Sequence, residues 1–212
     1  MVSRLRCFIG GILFCFFSSS FALHATENDD LVKAMMEVYA EELAANPQDY
    51  RTYYSRAMAY FGQGDMKKAL SDIDNAIKYF PRKEKDDLAQ SYLLRAKILS
   101  ERGETKSALT DLNSALRLVP NHRLALKDRG DLLCRLGQYD MAKIDYNHLL
   151  RMDTRSQSAF MGLARVEAHT GQPVRAKDLL AQAVNLSPKD PKIYLERSEI
   201  YKEMDMMPEA VD

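Results

Sequence analysis

Glycine and alanine recur in this chain at fixed distances that only a repeated helical hairpin satisfies. Between Ala89 and Pro120 a large residue (Tyr92) is followed by a small one four later (Ala96), then by Gly103, Ala108, Leu112, Ala115 and a closing Pro120. The same columns hold Tyr53, Ala57, Gly64, Ala69, Ile73, Ala76 and Pro81 before it. After it they hold Leu126, Gly130, Gly137, Ala142, Tyr146 and Leu149, and then Phe160, Ala164, Gly171, Ala176, Leu180, Ala183 and Pro188. A fifth copy begins at Tyr194, Ser198 and Ala210. Gly103, Gly137 and Gly171 are spaced by 34 residues, whereas Gly64 and Gly103 are 39 apart, so the first interval holds five extra residues. Such a unit cannot bury its apolar side alone, and the chain must stack its copies into one elongated domain.

A helix-turn-helix period of this length with this small-residue pattern resembles the tetratricopeptide repeat family. The resemblance covers residues 50 to 212 and rests on many columns agreeing, including alanine at Ala69, Ala108, Ala142, Ala176 and Ala210. The family's tryptophan column holds Tyr53, Tyr92, Leu126, Phe160 and Tyr194. Thr154 stands in the proline column of the third copy and Asp205 in the glycine column of the last. The resemblance implies an all-α, right-handed α-α superhelix of about four and a half repeats. We place the repeats at 50–83, 89–122, 123–156 and 157–190, with an insert at 84–88 and a partial fifth repeat or capping helix at 191–212.

Composition agrees, with only nine Gly and seven Pro in 212 residues, as helix-rich chains require. The inserted stretch, Arg82 to Asp87, has mixed charge and no apolar side, which predicts a solvent-facing extension in which Asp86 or Asp87 caps a helix running to Glu101; a hinge or docking loop is the alternative. Ahead of the repeats, residues 23–48 read as a capping segment, helical over Asp29 to Ala45. Asp29 or Asp30 would cap it, and Leu31, Met35, Val38, Tyr39 and Leu43 would form its apolar side.

Arg4 and Arg6 precede an apolar run from Cys7 to Phe17, and Ser18 to Ala22 supply small residues, the order expected of a secretory signal. Residues 1–22 form it if cleavage follows Ala22, and residues 1–25 if it follows Ala25. The other reading is an uncleaved anchor, since Cys7 to Ala25 is about as long as the shortest spanning helices. Either places the repeats outside the cytoplasm, in the periplasm or secreted, with membrane contact only through that segment. Neither Cys7 nor Cys15 follows a small residue as a lipid-modified cysteine would. Cys134 is then the one cysteine of the mature chain, and no internal disulfide forms.

The 30 basic and 30 acidic residues balance, and losing Arg4 and Arg6 leaves 28 against 30. No basic stripe interleaved with aromatics points to nucleic acid. The glycines outside the leader are repeat turns rather than a phosphate cradle, and no His, Cys or carboxylate set has metal-ligand spacing. We therefore expect no enzyme, no cofactor and no catalytic or metal-binding residue. Cys134 beside Arg135 could have a lowered pKa, against the plainer reading of a buried thiol.

In the family the first helix of each pair faces inward, and partners meet residues at fixed offsets from the small-residue column. Carried over, the resemblance implies a concave lining of Tyr54, Met58, Phe61, Leu93, Lys97, Lys127, Asp131, Met161 and Arg165. Tyr54, Met58, Phe61 and Leu93 form either an apolar groove or core beneath the N-terminal helix. Lys97, Lys127 and Arg165, with the single acid Asp131, predict a partner segment with hydrophobic anchors and an acidic flank. Relatives that grip a C-terminal carboxylate use a lysine and an asparagine where Tyr54 and Met58 stand here, so that use is not expected. The implied function is a non-enzymatic scaffold for a protein or peptide, in envelope or appendage assembly. Self-association through the convex face or the incomplete last repeat, giving a homo-oligomer, is the alternative.

Overall fold

The computed structural model describes residues 24–81 and 83–204, with side-chain surroundings from Leu31 onward. The expected leader at 1–22 and the segment around Pro208 and Ala210 lie outside the described residues. Ten helices and no strand make up the described chain: α1 (His24–Ala45), α2 (Tyr50–Gly62), α3 (Met66–Tyr79), α4 (Lys85–Glu101), α5 (Thr105–Leu118), α6 (Arg123–Arg135), α7 (Tyr139–Met152), α8 (Gln157–His169), α9 (Pro173–Leu186) and α10 (Pro191–Glu203).

The turns inside the pairs lie where the glycine period put them. Gly64, Gly103, Gly137 and Gly171 have φ of 79°, 80°, 71° and 74°, a backbone region that costs a side chain energy and glycine none. Gly62, two residues before the first of these, is the last residue of α2. Helix starts are capped by Asp49, Asp65 and Asp190 side chains, and by His122, whose Nδ1 accepts from the Ala125 amide at 3.3 Å. Pro173 opens α9 in its first turn, where the missing amide hydrogen has no bond to lose.

Two helix starts differ from expectation. α1 begins at His24, which puts Asp29 and Asp30 inside the helix and not at its cap. Its buried side runs through Leu43 with Val32, Met35, Met36 and Tyr39 partly covered, while Leu31 and Val38 are exposed. The insert is helical and extends α4 to 17 residues against 13 in α2, α6 and α8. Glu84 takes the cap position, and Asp86 and Asp87 fall in the first turn, where the helix dipole favours negative charge. The insert is not purely solvent-facing: Glu84 Oε2 accepts a 2.7 Å hydrogen bond from the Tyr50 hydroxyl, tying the extra turn to the start of the first pair.

Core burial follows the template columns. Ala57, Ala69, Ile73 and Ala76 of the first pair are fully buried, as are Ala142, Tyr146, Ala164, Ala176 and Leu180 in later pairs. First helices also touch along the array, α2 with α4, α6 with α8 and α8 with α10, whereas no two second helices do so comparably among the described residues. An array whose first helices are the closer set curves around them, so α2, α4, α6, α8 and α10 line the concave side.

Each of the first three pairs carries a bidentate clasp that the columns did not reveal. Arg56, Arg95 and Arg129 grip Asp72, Asp111 and Asp145 through two hydrogen bonds of 2.6–2.8 Å each. Arg95 also reaches Asp74, and Arg129 reaches Asn113, both at 2.8 Å in the preceding repeat. In the fourth pair both clasp positions are apolar, Leu163 and Leu179, and the tie to the third pair passes to Lys143 and the buried Glu167 at 2.6 Å.

Tyr146 stands where the other pairs have Ile73, Leu112 and Leu180, and two glycines make room for it. A Cβ on Gly130 would lie 2.8 Å from its ring, and one on Gly162 would lie 2.2 Å away. Gly162→Ala should therefore destabilise by roughly 1 to 3 kcal/mol through overpacking, and Tyr146→Leu in the same chain should return most of the loss, as read by denaturation in a double-mutant cycle. Arg129→Leu alone strands a buried carboxylate and should destabilise by about 3 to 5 kcal/mol. Arg129→Leu with Asp145→Leu, copying the fourth pair, should unfold closer to the natural chain than that single variant does.

Candidate functional site

The inner faces of the first helices hold two cavities that share Asp131. The first, about 260 Å³, lies between α2, α4 and α6, with Phe61, Lys97, Glu101 and Asp128 in its walls. The second, about 510 Å³, lies between α6, α8 and α10 and is bordered by Lys127, Met161, Arg165, Glu196 and Glu199.

The predicted lining divides between groove and core. Tyr54 and Phe61 are half-buried, and Met58 is 48% exposed. From α1, Glu42 accepts from the Thr52 hydroxyl of α2 at 2.9 Å. Tyr54 and Phe61 also pack, partly buried, against the apolar cluster of Ala57, Ile73 and Ile98, so this end of the lining is part groove and part core. Leu93 is not groove surface; it is 5% exposed within the main apolar cluster, because α4 is covered on both sides by neighbouring pairs. Met161 is likewise buried, packed with Ala164, Leu180 and Ile193, and contributes only an edge to the second cavity.

The middle of the groove is not basic, contrary to what its columns predicted. Lys127 Nζ lies 2.7 Å from Asp131 and 3.9 Å from Asp128, Lys97 Nζ 3.7 Å from Asp128, and Arg165 Nε 3.6 Å from Glu203. Burial disfavours the Lys127 ammonium, but Asp131 and Asp128 outweigh it, and its pKa lies above the ordinary lysine value. Asp128 and Glu196 lie two residues before the small column and Glu203 five after it, off the three columns carried over from the family, whereas Glu199 stands on the same column as Lys97 and Arg165.

Asp131 is held from below as well. The Tyr146 hydroxyl, threaded between Gly130 and Gly162, donates to Asp131 Oδ1 at 2.7 Å and lies 3.8 Å from Cys134 Sγ. Burial and the Asp131 charge push the Tyr146 pKa far up, so this hydroxyl stays a donor. The reactive option for Cys134 is overturned: burial raises its thiol pKa, and Arg135 turns away to donate to Ser100 Oγ at 2.8 Å.

Asp128 is the strained member. Its Oδ2 is buried without a hydrogen bond, since Lys97 stops at 3.7 Å. Burial raises its pKa, Lys97 and Lys127 pull it back only in part, and Asp131 adds to the rise. Among the described residues no group of three His, Cys, Asp or Glu is placed to hold a metal ion. No described helix is long and apolar enough to cross a membrane.

Family models described as tetratricopeptide repeat match residues 50–83 and 128–191. Among solved structures, a tetratricopeptide repeat protein from Parabacteroides merdae is 27% identical, with a TM-score of 0.74 over 87% of this chain and 71% of that one. YrrB, described as a repeat protein of this kind with an unusual peptide-binding site, is 19% identical with a TM-score of 0.65 over 82% of this chain and 86% of its own. MamA is 16% identical with a TM-score of 0.67, covering 83% and 99% of the respective chains. No curated protein matches the sequence at a significant level.

The folded protein holds the Asp128 proton more tightly than the unfolded chain does. The stability present below the ordinary carboxylate value of 3.8 is therefore lost as pH rises through the elevated one. Asp128→Asn removes that loss, so the variant should melt above the natural chain at about pH 7, the gap closing toward about pH 4. Thermal melts followed by circular dichroism check this, and a lower melting point at neutral pH would show that the lysine pairings outweigh burial.

Proposed function

The chain belongs to the tetratricopeptide repeat family, and from that premise we propose that it is a non-enzymatic scaffold outside the cytoplasm, holding a segment of a partner protein along its concave groove. The observation that carries this reading is the continuity of the groove. Half-exposed Tyr54, Met58 and Phe61 lead into two cavities that share Asp131 and are lined mostly by first helices. A trough of this kind offers apolar anchoring at one end and hydrogen-bonding groups along the rest, which suits an extended or helical segment. Peptide binding by YrrB, on a similar fold, supports the same use of this surface. Arg4, Arg6 and the apolar run after them support export, with envelope or appendage assembly as the setting.

A second reading is favoured by Met141 and Ile144, which are 53% and 63% exposed on the outer side of α7. Such a pair on the convex face would serve self-association or the bridging of subunits. Sedimentation at micromolar concentration separates the two, because a strict monomer removes the second.

Photocrosslinking residues placed at Met58 and at Lys97 should each capture a protein in the native compartment, and one at Asp178 on the convex side should not. Equal capture from all three positions would count against the groove. The mature protein should begin at Leu23, as N-terminal sequencing of the exported form would show.

A further inference from the structure

The ionic groups of the groove do not cancel. Lys127 is engaged by Asp131 at 2.7 Å, Lys97 faces Asp128 at 3.7 Å, and Arg165 faces Glu203 at 3.6 Å. Left over on the acidic side are Glu196 and Glu199 on α10, both exposed at the second cavity, and Asp128 is only partly offset, its Oδ2 without a hydrogen bond because Lys97 stops at 3.7 Å. On the basic side Arg135 spends a donor on Ser100, and only Arg155, exposed in the loop before α8, remains at the second cavity.

The acids are also ordered along the array. Asp128 and Glu196 occupy the same place in their repeats, two residues before the small column, and the residue there in the repeat between them is Gly162. Two carboxylates two repeats apart, separated by a residue without a side chain, mark a track along successive first helices.

Resting on the reading that the groove holds a partner segment, we propose that this segment is basic: one arginine or lysine enters the first cavity between Phe61 and Asp128, and another positive charge lies against Glu196 and Glu199. A guanidinium suits the first position, since it offers several donors to the accessible part of the Asp128 carboxylate, whose side chain is 23% exposed, while its face lies on an aromatic ring. The bound cation would offset the desolvation that Asp128 suffers in the empty groove. This reverses the acidic flank that the groove columns implied.

The test is fluorescence anisotropy of the protein without its leader against two labelled peptides of about twelve residues, one alternating arginine with leucine and serine, the other with glutamate for arginine. The basic peptide should bind more tightly and lose affinity as salt rises. Glu196→Lys with Glu199→Lys should weaken it by about tenfold. Asp128→Asn should weaken it too, while its melting temperature holds or rises, which separates lost binding from lost folding. Asp178→Lys on the convex side should change nothing. Preference for the acidic peptide, strengthened by the Glu196 and Glu199 reversals, would overturn the basic assignment and leave the groove intact. Binding of neither peptide would overturn the assignment, with photocrosslinking from Met58 and Lys97 then deciding the groove reading separately.

Discussion

How near two helices of a pair can approach is set by Ala57, Ala96, Gly130 and Ala164, and everything else in the array follows from that distance. A side chain larger than a methyl at these places would wedge the pair open and uncover the apolar residues of the second helix. Close pairs present flat, complementary faces to the next pair, so each unit completes its neighbour's core. Stability then accumulates along the stack instead of centring on one nucleus. Curvature is a by-product: among the described residues α2 touches α4 and α8 touches both α6 and α10, whereas no two second helices meet comparably, which leaves a trough on the first-helix side.

The third and fourth pairs show what happens when a column departs from the rule. Tyr146 replaces an aliphatic residue, and the space it needs comes from Gly130 in its own pair and Gly162 in the next. The exchange carries a hydroxyl through the helix layer to Asp131 on the groove side. The Arg–Asp clasp is likewise kept as a unit or dropped as a unit. Leu163 and Leu179 replace both partners together, consistent with the penalty for leaving one charge buried alone. Packing compensation of this sort links residues far apart in the chain, and it connects the groove floor to the core beneath it.

Neutralisation inside the groove changes what the surface can recognise. Lys97, Lys127 and Arg165 would dominate if each stood alone, yet each faces a carboxylate from the same or a neighbouring helix. Asp128 carries the cost of that arrangement, buried with an oxygen that no donor reaches. A group held at a disadvantage in the folded protein is commonly part of a binding surface.

Fold class and the four left-handed turn glycines were legible in the primary sequence, because backbone angles and small-residue columns are local properties repeated at a fixed period. The Arg and Asp of the clasp stand at a constant spacing too, but spacing alone does not distinguish a clasp between helices from a solvated charged face. The fates of Leu93, Met161 and Asp128 were not legible. Leu93 and Met161 fit an inward-facing column, and only the packing of neighbouring pairs buries them. Asp128 meets Lys97 across a repeat boundary, a contact that depends on the angle at which one pair is set on the next. Local periodicity determined that this chain builds a curved stack of helical hairpins. The charge and depth of its trough were decided by tertiary structure, because they arise from distances between side chains that no sequence interval specifies.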